Sequence, residues 1–410
     1  MTTPHVVIAS PYNADRLAYN GIIYSFCKVL TEVADATLVA PPARADKGVA
    51  PDMMTPLDKA RDEARRALSL ARHRLGLPRL PLIAPARLPH PPDVFVFACT
   101  FLHDLPNLDR IEGWERSPVK IAFVLESWSA LVNAHARTLR QLDRFDHVFV
   151  LNRSSLAALR RHVRAPCSFL PVAADHLVAC PGADRPERSI DVYSMGRRSP
   201  ALHDQLLRAM ADGRIFYQFD PITGGRIACW AESRALTAQL IKRSRYFIAF
   251  DPSIGSARKS LEASGESALS ARYFEGAAGG AVMLGSAPSC GEFGECFDWP
   301  DVLIDIPSAP DDIMRILQEL DAQPQRLAQI RRRNMTESLA RHDWSHRWET
   351  IARVAGLPLG PAFDWRKAKL EEMRRAMLEQ APPREARPPA LEFLPGVGTP
   401  PELVRSRAAG

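Results

Sequence analysis

What most constrains this chain is a rhythm of short apolar runs, each as long as a buried parallel strand, separated by stretches of helical periodicity. The runs occupy 5–9, 36–40, 93–98, 119–125, 147–151 and 168–171, and a second set follows at 190–195, 214–219, 246–250, 281–284 and 302–306. Strands that alternate with helices imply parallel sheets clothed on both faces, so the expected fold class is α/β in two units. With 410 residues and 46% hydrophobic content, each unit can bury a core of its own. After the first run comes a polar loop and then an amphipathic helix at 21–33, the order in which a doubly wound domain opens. The loop lacks G-x-G-x-x-G, which removes the main support for a nicotinamide or flavin site. At the helix start, Asn20 and Gly21 could offer backbone N–H groups to a phosphate or an acceptor hydroxyl; an ordinary turn glycine is the competing reading.

The densest pattern lies at 272–291. Ser267 is the expected cap of a helix over 268–278, Gly279 and Gly280 end it, and 281–284 is a buried strand. Glu275 is the only carboxylate between Glu266 and Glu292, and a charge in the middle of so apolar a helix needs a reason if it is buried. A place on the solvated rim is the alternative. Arg197 and Arg198 stand between a strand end and the helix at 200–211, where guanidinium groups and a helix amino terminus both attract phosphate; solvated loop arginines are the alternative.

The pattern from Arg272 through Glu275, Gly276 and Gly279 into the apolar run, followed later by Asp343-Trp344-Ser345-His346-Arg347, resembles the carboxyl-terminal half of GT-B glycosyltransferases. The resemblance is to the family 4-like group that includes the spore-maturation protein B type, and it covers about 165–355 well. It implies two Rossmann-like domains facing across a cleft, with a nucleotide-diphosphate sugar as donor and no cofactor. Glu275 is then the ligand of the donor ribose, with Arg272 beside it in the motif and Arg197 and Arg198 on the diphosphate. A Lys that the family places several residues after its Arg is missing, and Arg258 and Lys259 are its candidate replacements. The family has a second glutamate with seven residues between the two; here eight residues separate Glu266 from Glu275, so Glu266 is the weaker candidate and Ser264, Gly265 and Ser267 share the sugar contact. Glu126, just after a strand of the first domain, is the candidate catalytic carboxylate, and Trp128 a candidate acceptor platform. A glutamate placed for the helix dipole is an equal reading of Glu126. His346 and Arg347 match a signature that packs the domain. The expected organisation is an acceptor domain at 1–172 with an insertion at 41–92, a donor domain at 173–356, a returning helix at 357–381 and a disordered Pro-rich tail at 382–410.

Within the insertion, Leu57, Ala60, Ala64, Leu68, Ala71 and Leu75 recur at helical steps, with Lys59, Arg61, Arg65, Arg66, Arg72 and Arg74 on the other faces. A basic amphipathic helix of this kind can lie on an anionic membrane through 56–77. Because half of its apolar positions are alanine, packing on its own domain is the plainer reading. The net charge of +6 suits a phosphate-bearing partner better than nucleic acid, since the basic residues are spread along the chain and all but eight are arginine. Seven scattered cysteines without a C-x-x-C pair suit reduced thiols, and neither metal-ligand spacing nor Asp-x-Asp at a strand end is present, which favours a metal-free reaction. With no apolar run near 18 residues and no leader pattern, the expected place is the cytoplasm, with peripheral contact at the inner membrane face. The expected reaction is transfer of a sugar, with retention, to a hydroxyl of a glycan or lipid-linked saccharide. The rivals are a sugar-nucleotide epimerase of related build and a non-catalytic GT-B scaffold.

Overall fold

The computed structural model describes residues 4–43, 55–75, 77–182, 186–220, 225–251 and 265–379. Arg258, Lys259, Ser264 and the segment 382–410 lie outside the described residues.

The first domain contains β1 (Val6–Ala9), β2 (Thr37–Val39), β3 (Ala86–Arg87), β4 (Val94–Phe101), β5 (Ile111–Glu112), β6 (Val119–Glu126), β7 (His147–Val150) and β8 (Cys167–Phe169). Six of these form a parallel sheet in the order β2-β1-β4-β6-β7-β8, and β3 pairs with β5 apart from it. The second domain has β9 (Ile190–Ser194), β10 (Tyr217–Phe219), β11 (Ser244–Ala249), β12 (Val282–Gly285) and β13 (Ile304–Asp305), all parallel, in the order β10-β9-β11-β12-β13. Each apolar run of the sequence has its strand. The β3/β5 pair was not foreseen, because two residues carry no periodicity to read.

Alternation within the strands explains the layers. Val6, Ile8, Val94, Val96 and Phe123 point into one core, while Val7, Ala9, Phe95, Phe97 and Val124 point into another on the opposite face. The first core runs on into the second domain, where Phe26 of the helix Gly21–Val33 meets Trp344 at 5.3 Å between ring centroids. Strand order reverses between β1 and β4 in the first domain and between β9 and β11 in the second, and a ligand crevice opens at the carboxyl ends of strands at such points.

Two expectations change. The cap of the helix Ala271–Gly279 is Ser270, whose hydroxyl accepts from the Arg272 N–H at 3.4 Å; Ser267 instead donates its hydroxyl to Asp251. Ala268 and Leu269 are buried ahead of the helix, so the chain enters it later than the cap pattern suggested. The helix Pro56–Arg74 does not bury its apolar stripe on its own domain. Its polar side docks on the arm that follows: Ser69 is buried and accepts from the Leu80 N–H, Arg65 donates to the Pro81 carbonyl and Arg72 to the Pro78 carbonyl. Leu57, Leu68 and Leu75 are left 60%, 55% and 74% exposed.

Candidate active site

The helix Ala271–Gly279 starts at the carboxyl edge of the second sheet, so its first turn faces the crevice. Glu275 is 3% exposed, which removes the rim alternative. One carboxylate oxygen, Oε1, is paired with Arg234 of the helix Trp230–Lys242, and the other, Oε2, is buried without a hydrogen-bond partner. A buried carboxylate oxygen left unsatisfied costs stability unless a ligand completes it. Arg234 also reaches the first domain: a Cβ on Gly21 would lie 3.2 Å from its Cδ, so the helix start must be bare there.

One turn before Glu275, Arg272 lies beside the loop after β9, where a Cβ on Gly196 would come within 3.1 Å of its Nη2. Gly196 has φ +67°, a second reason for glycine at that turn. Burial first and the neighbouring Arg197 second push the Arg272 guanidinium down to about 10. Neither the Arg272 nor the Arg197 guanidinium has a hydrogen-bond or ion-pair partner among the described residues; the Glu275 and Asp220 carboxylates act on Arg272 only from a distance and do not offset its burial. Arg198 behaves differently: both of its terminal nitrogens donate to the Asp220 carbonyl at 3.0 Å and its guanidinium sits over Phe219, so it shapes the loop.

Several sequence-nominated residues are already engaged. Glu266 accepts from the Ser129 N–H at 2.9 Å, from the Ser129 hydroxyl at 2.9 Å and from the Ser154 hydroxyl, so it latches the second domain to the first and is not an open sugar contact. Gly265 adopts φ +62° just before it, the turn that delivers that carboxylate. Trp128 is buried against Leu131 and Ala268 beneath this latch, which removes it as an acceptor platform. The Asn20 and Gly21 amides donate to the Leu17 and Ala18 carbonyls, and the Asn20 side chain holds Thr100, Tyr12 and Asp15, so neither N–H is available to a ligand.

Glu126, at the end of β6, accepts from the Trp128 indole at 3.2 Å and belongs to a cluster that sequence reasoning missed. Asp104 accepts from the Phe101 N–H at 2.9 Å and lies 3.8 Å from His103 Nε2, and His103 stacks on Phe101 at 4.9 Å. Burial first, with Asp15 and Glu126 adding to it, pushes the Asp104 carboxyl up to about 7. Tyr19 donates to Asp15, and burial together with that carboxylate raises its phenol above its ordinary value. These groups follow the carboxyl ends of β1, β4 and β6, and the contacts Asp15–Asn20 and Gly21–Arg234–Glu275 run from them toward the buried carboxylate. Position directly after β4 could have found His103 and Asp104; Arg234 carries no local signal. Among the described residues no group of three or more His, Cys, Asp or Glu is arranged to hold a metal ion.

Residues 203–353 match a family described as "Glycosyl transferase-like". In fold the chain is similar to a solved alpha-glucosyltransferase in complex with UDP and a 13-mer DNA containing a HMU base, at 10% identity over 87% of this chain and 100% of that one, with a TM-score of 0.50. An alpha-glucosyltransferase in complex with UDP-glucose and DNA containing an abasic site aligns with the same identity, coverage and TM-score. The pneumococcal O-GlcNAc transferase GtfA in complex with UDP and GlcNAc aligns at 11% identity and a TM-score of 0.36 over 64% of this chain; the chain spans 56% of the length of that protein. No curated protein matches the chain. Likeness at these identities concerns the fold, which is GT-B: two Rossmann-like domains across a cleft, the second carrying a glycosyltransferase-like domain.

Proposed function

We propose that this chain, a glycosyltransferase of the GT-B fold, moves a sugar from a nucleotide-diphosphate donor to a hydroxyl of a saccharide or lipid-linked saccharide. The observation that carries the donor reading is the placing of Arg197 and Arg272, neither guanidinium hydrogen-bonded or ion-paired among the described residues, one helical turn from the buried and half-satisfied Glu275. Two guanidinium groups held together are stabilised by a diphosphate, which accepts several charge-assisted hydrogen bonds at once. A ribose offers hydroxyl donors of the kind the free Oε2 of Glu275 needs.

The transfer passes through a transition state of oxocarbenium character while negative charge grows on the leaving diphosphate. Fixed positive groups aimed at that charge lower the barrier, and Arg197 and Arg272 take this role without a metal. Glu126 and Asp104, on the first-domain side, face the acceptor, and Asp104 with its raised value is suited to exchange a proton near neutral pH. Retention is carried over from the resemblance to family 4-like enzymes, and that finer family placement belongs to the same proposal. The site is cytoplasmic, at the inner face of the membrane where a lipid-linked acceptor is met. The match of residues 203–353 to a glycosyltransferase-like family favours transfer over the epimerase and over an inert scaffold.

Thermal unfolding with UDP, GDP, dTDP or CMP and their sugars tests the reading. A ligand at about 100 times its Kd stabilises by about 2.7 kcal/mol, so one nucleoside diphosphate should raise Tm by several degrees. Arg272→Ala should abolish that shift, and Glu275→Gln should weaken it most for nucleotides with intact ribose hydroxyls. If no nucleoside diphosphate raises Tm, the donor-site assignment is wrong.

A further inference from the structure

The helix Pro56–Arg74 presents the reverse of the usual arrangement. Its polar side is docked on the arm at 77–83 through Ser69, Arg65 and Arg72, while Leu57, Leu68 and Leu75, with Ala60, Ala64 and Ala71 between them, form an outward apolar line. At 1.5 Å per residue its 19 residues make this line about 28 Å long. Exposing such a row costs solvation free energy, and a contiguous exposed apolar row marks a contact surface. Arg61 and Arg74, both exposed, stand on its two edges, and the exposed Glu63 shares the Arg74 edge.

We propose that this outward face of the helix Pro56–Arg74 binds an anionic lipid surface. Composition and charge select that occupant over a protein. The line contains leucine and alanine and no aromatic residue, whereas protein interfaces draw most of their binding energy from aromatic and arginine anchors seated in pockets. Leucine on one side of a helix with arginine at its borders is the pattern of a helix lying in the headgroup region: the side chains enter the acyl boundary and the guanidinium groups meet lipid phosphates. Long arginine stems allow both contacts together. A net charge of +6 adds a general attraction to an anionic leaflet. The inference concerns a surface outside the donor site and does not depend on the transferase reading.

Flotation of the full chain with vesicles tests it. Phosphatidylglycerol–phosphatidylcholine vesicles should carry the protein, pure phosphatidylcholine vesicles should carry several-fold less, and binding should fall as salt rises. L68E/L75E should reduce binding to anionic vesicles by about tenfold or more, and R61E/R74E by about fivefold or more. These side chains are exposed, so both variants should keep the wild-type Tm and the wild-type response to nucleoside diphosphates, which separates this surface from the donor site. Failure of the wild type to float with anionic vesicles overturns the proposal, as does undiminished flotation of L68E/L75E. A concentration-dependent dimer that L68E/L75E dissolves, without vesicle binding, would assign the face to a second copy of the chain instead.

Discussion

Asp104 is the crevice residue whose departure from its ordinary state falls in the physiological pH range. Its carboxyl is held up to about 7 by burial and by the nearby Asp15 and Glu126, whereas an unfolded aspartate releases its proton near 4. The folded chain therefore binds more protons than the unfolded chain between about pH 4 and pH 7, and this group's contribution to stability falls as pH rises through that window. Asp104→Asn keeps an acceptor for the Phe101 N–H and removes the titration. Urea unfolding at pH 5 and pH 8 should show the variant losing less stability between the two than the wild type, by on the order of 2 kcal/mol. Equal losses would mean that Asp104 titrates normally. Residues differ in how far the sequence exposed them. Glu275 and Arg272 stood out because a lone carboxylate and a motif mark them, and Glu126 because it follows a strand. Arg234 was hidden: its partners Gly21 and Glu275 are remote in sequence, and nothing in its own helix distinguishes it from a solvated arginine.

The helix Ala271–Gly279 and the strand β12 are each pressed against a neighbouring element more tightly than any side chain at the contact allows. A Cβ on Gly279 would come 2.4 Å from Ile241 Cγ2, and one on Gly285 would come 1.8 Å from the Ala249 carbonyl oxygen in the neighbouring strand. The small residues of the motif are thus packing requirements that seat Glu275 and Arg272 at the crevice, and Gly280 closes the helix with φ +65°. Gly279→Ala should cost about 1–3 kcal/mol, since the Ile241 side chain can move, and Gly285→Ala should cost more, since a paired backbone cannot. Equilibrium denaturation of the two variants checks the order; a milder Gly285→Ala would show that the strands separate easily. Elements were legible where period or length carried them: apolar runs located the strands of both sheets and the helix at 21–33. Boundaries were less so, as Ser270 in place of Ser267 shows, because several serines could cap and only tertiary burial of Ala268 and Leu269 chooses between them. The packing side of the insertion helix was not legible, because periodicity reveals an apolar stripe but not which face meets the domain.

The two domains are held at opposite ends by unlike contacts, and neither was legible in advance because each joins residues far apart in sequence. On the crevice side, Glu266 holds Ser129 and Ser154, Arg153 meets Glu295 at 2.7 Å, and the Trp230 indole donates to Asn13 at 2.9 Å. On the far side, where the chain crosses between domains, Arg366 of the returning helix Pro361–Glu379 is 2% exposed and donates to Asp343 and Asp175 at 2.7 Å and to Glu32 at 3.3 Å. Lys28 adds a bond to Asp175 at 2.9 Å, and Arg347 donates to the Pro171 and Val172 carbonyls of the crossing. Arg366 holds the Asp343 carboxyl far below its ordinary value against the cost of complete burial, so Asp343 is charged and depends on that guanidinium. Arg366→Met would strand this charge in the interior, and breaking a buried pair from one side costs about 3–5 kcal/mol. The latch at Glu266 is partly exposed and is compensated by water when broken, so Glu266→Ala should cost about 1 kcal/mol or less. Its effect should be geometric: with the latch released and the crossing intact, small-angle scattering should report a larger radius for Glu266→Ala, while urea unfolding reports the larger stability loss for Arg366→Met. The reverse pairing of outcomes would place the hinge at the crevice and the clasp at the crossing.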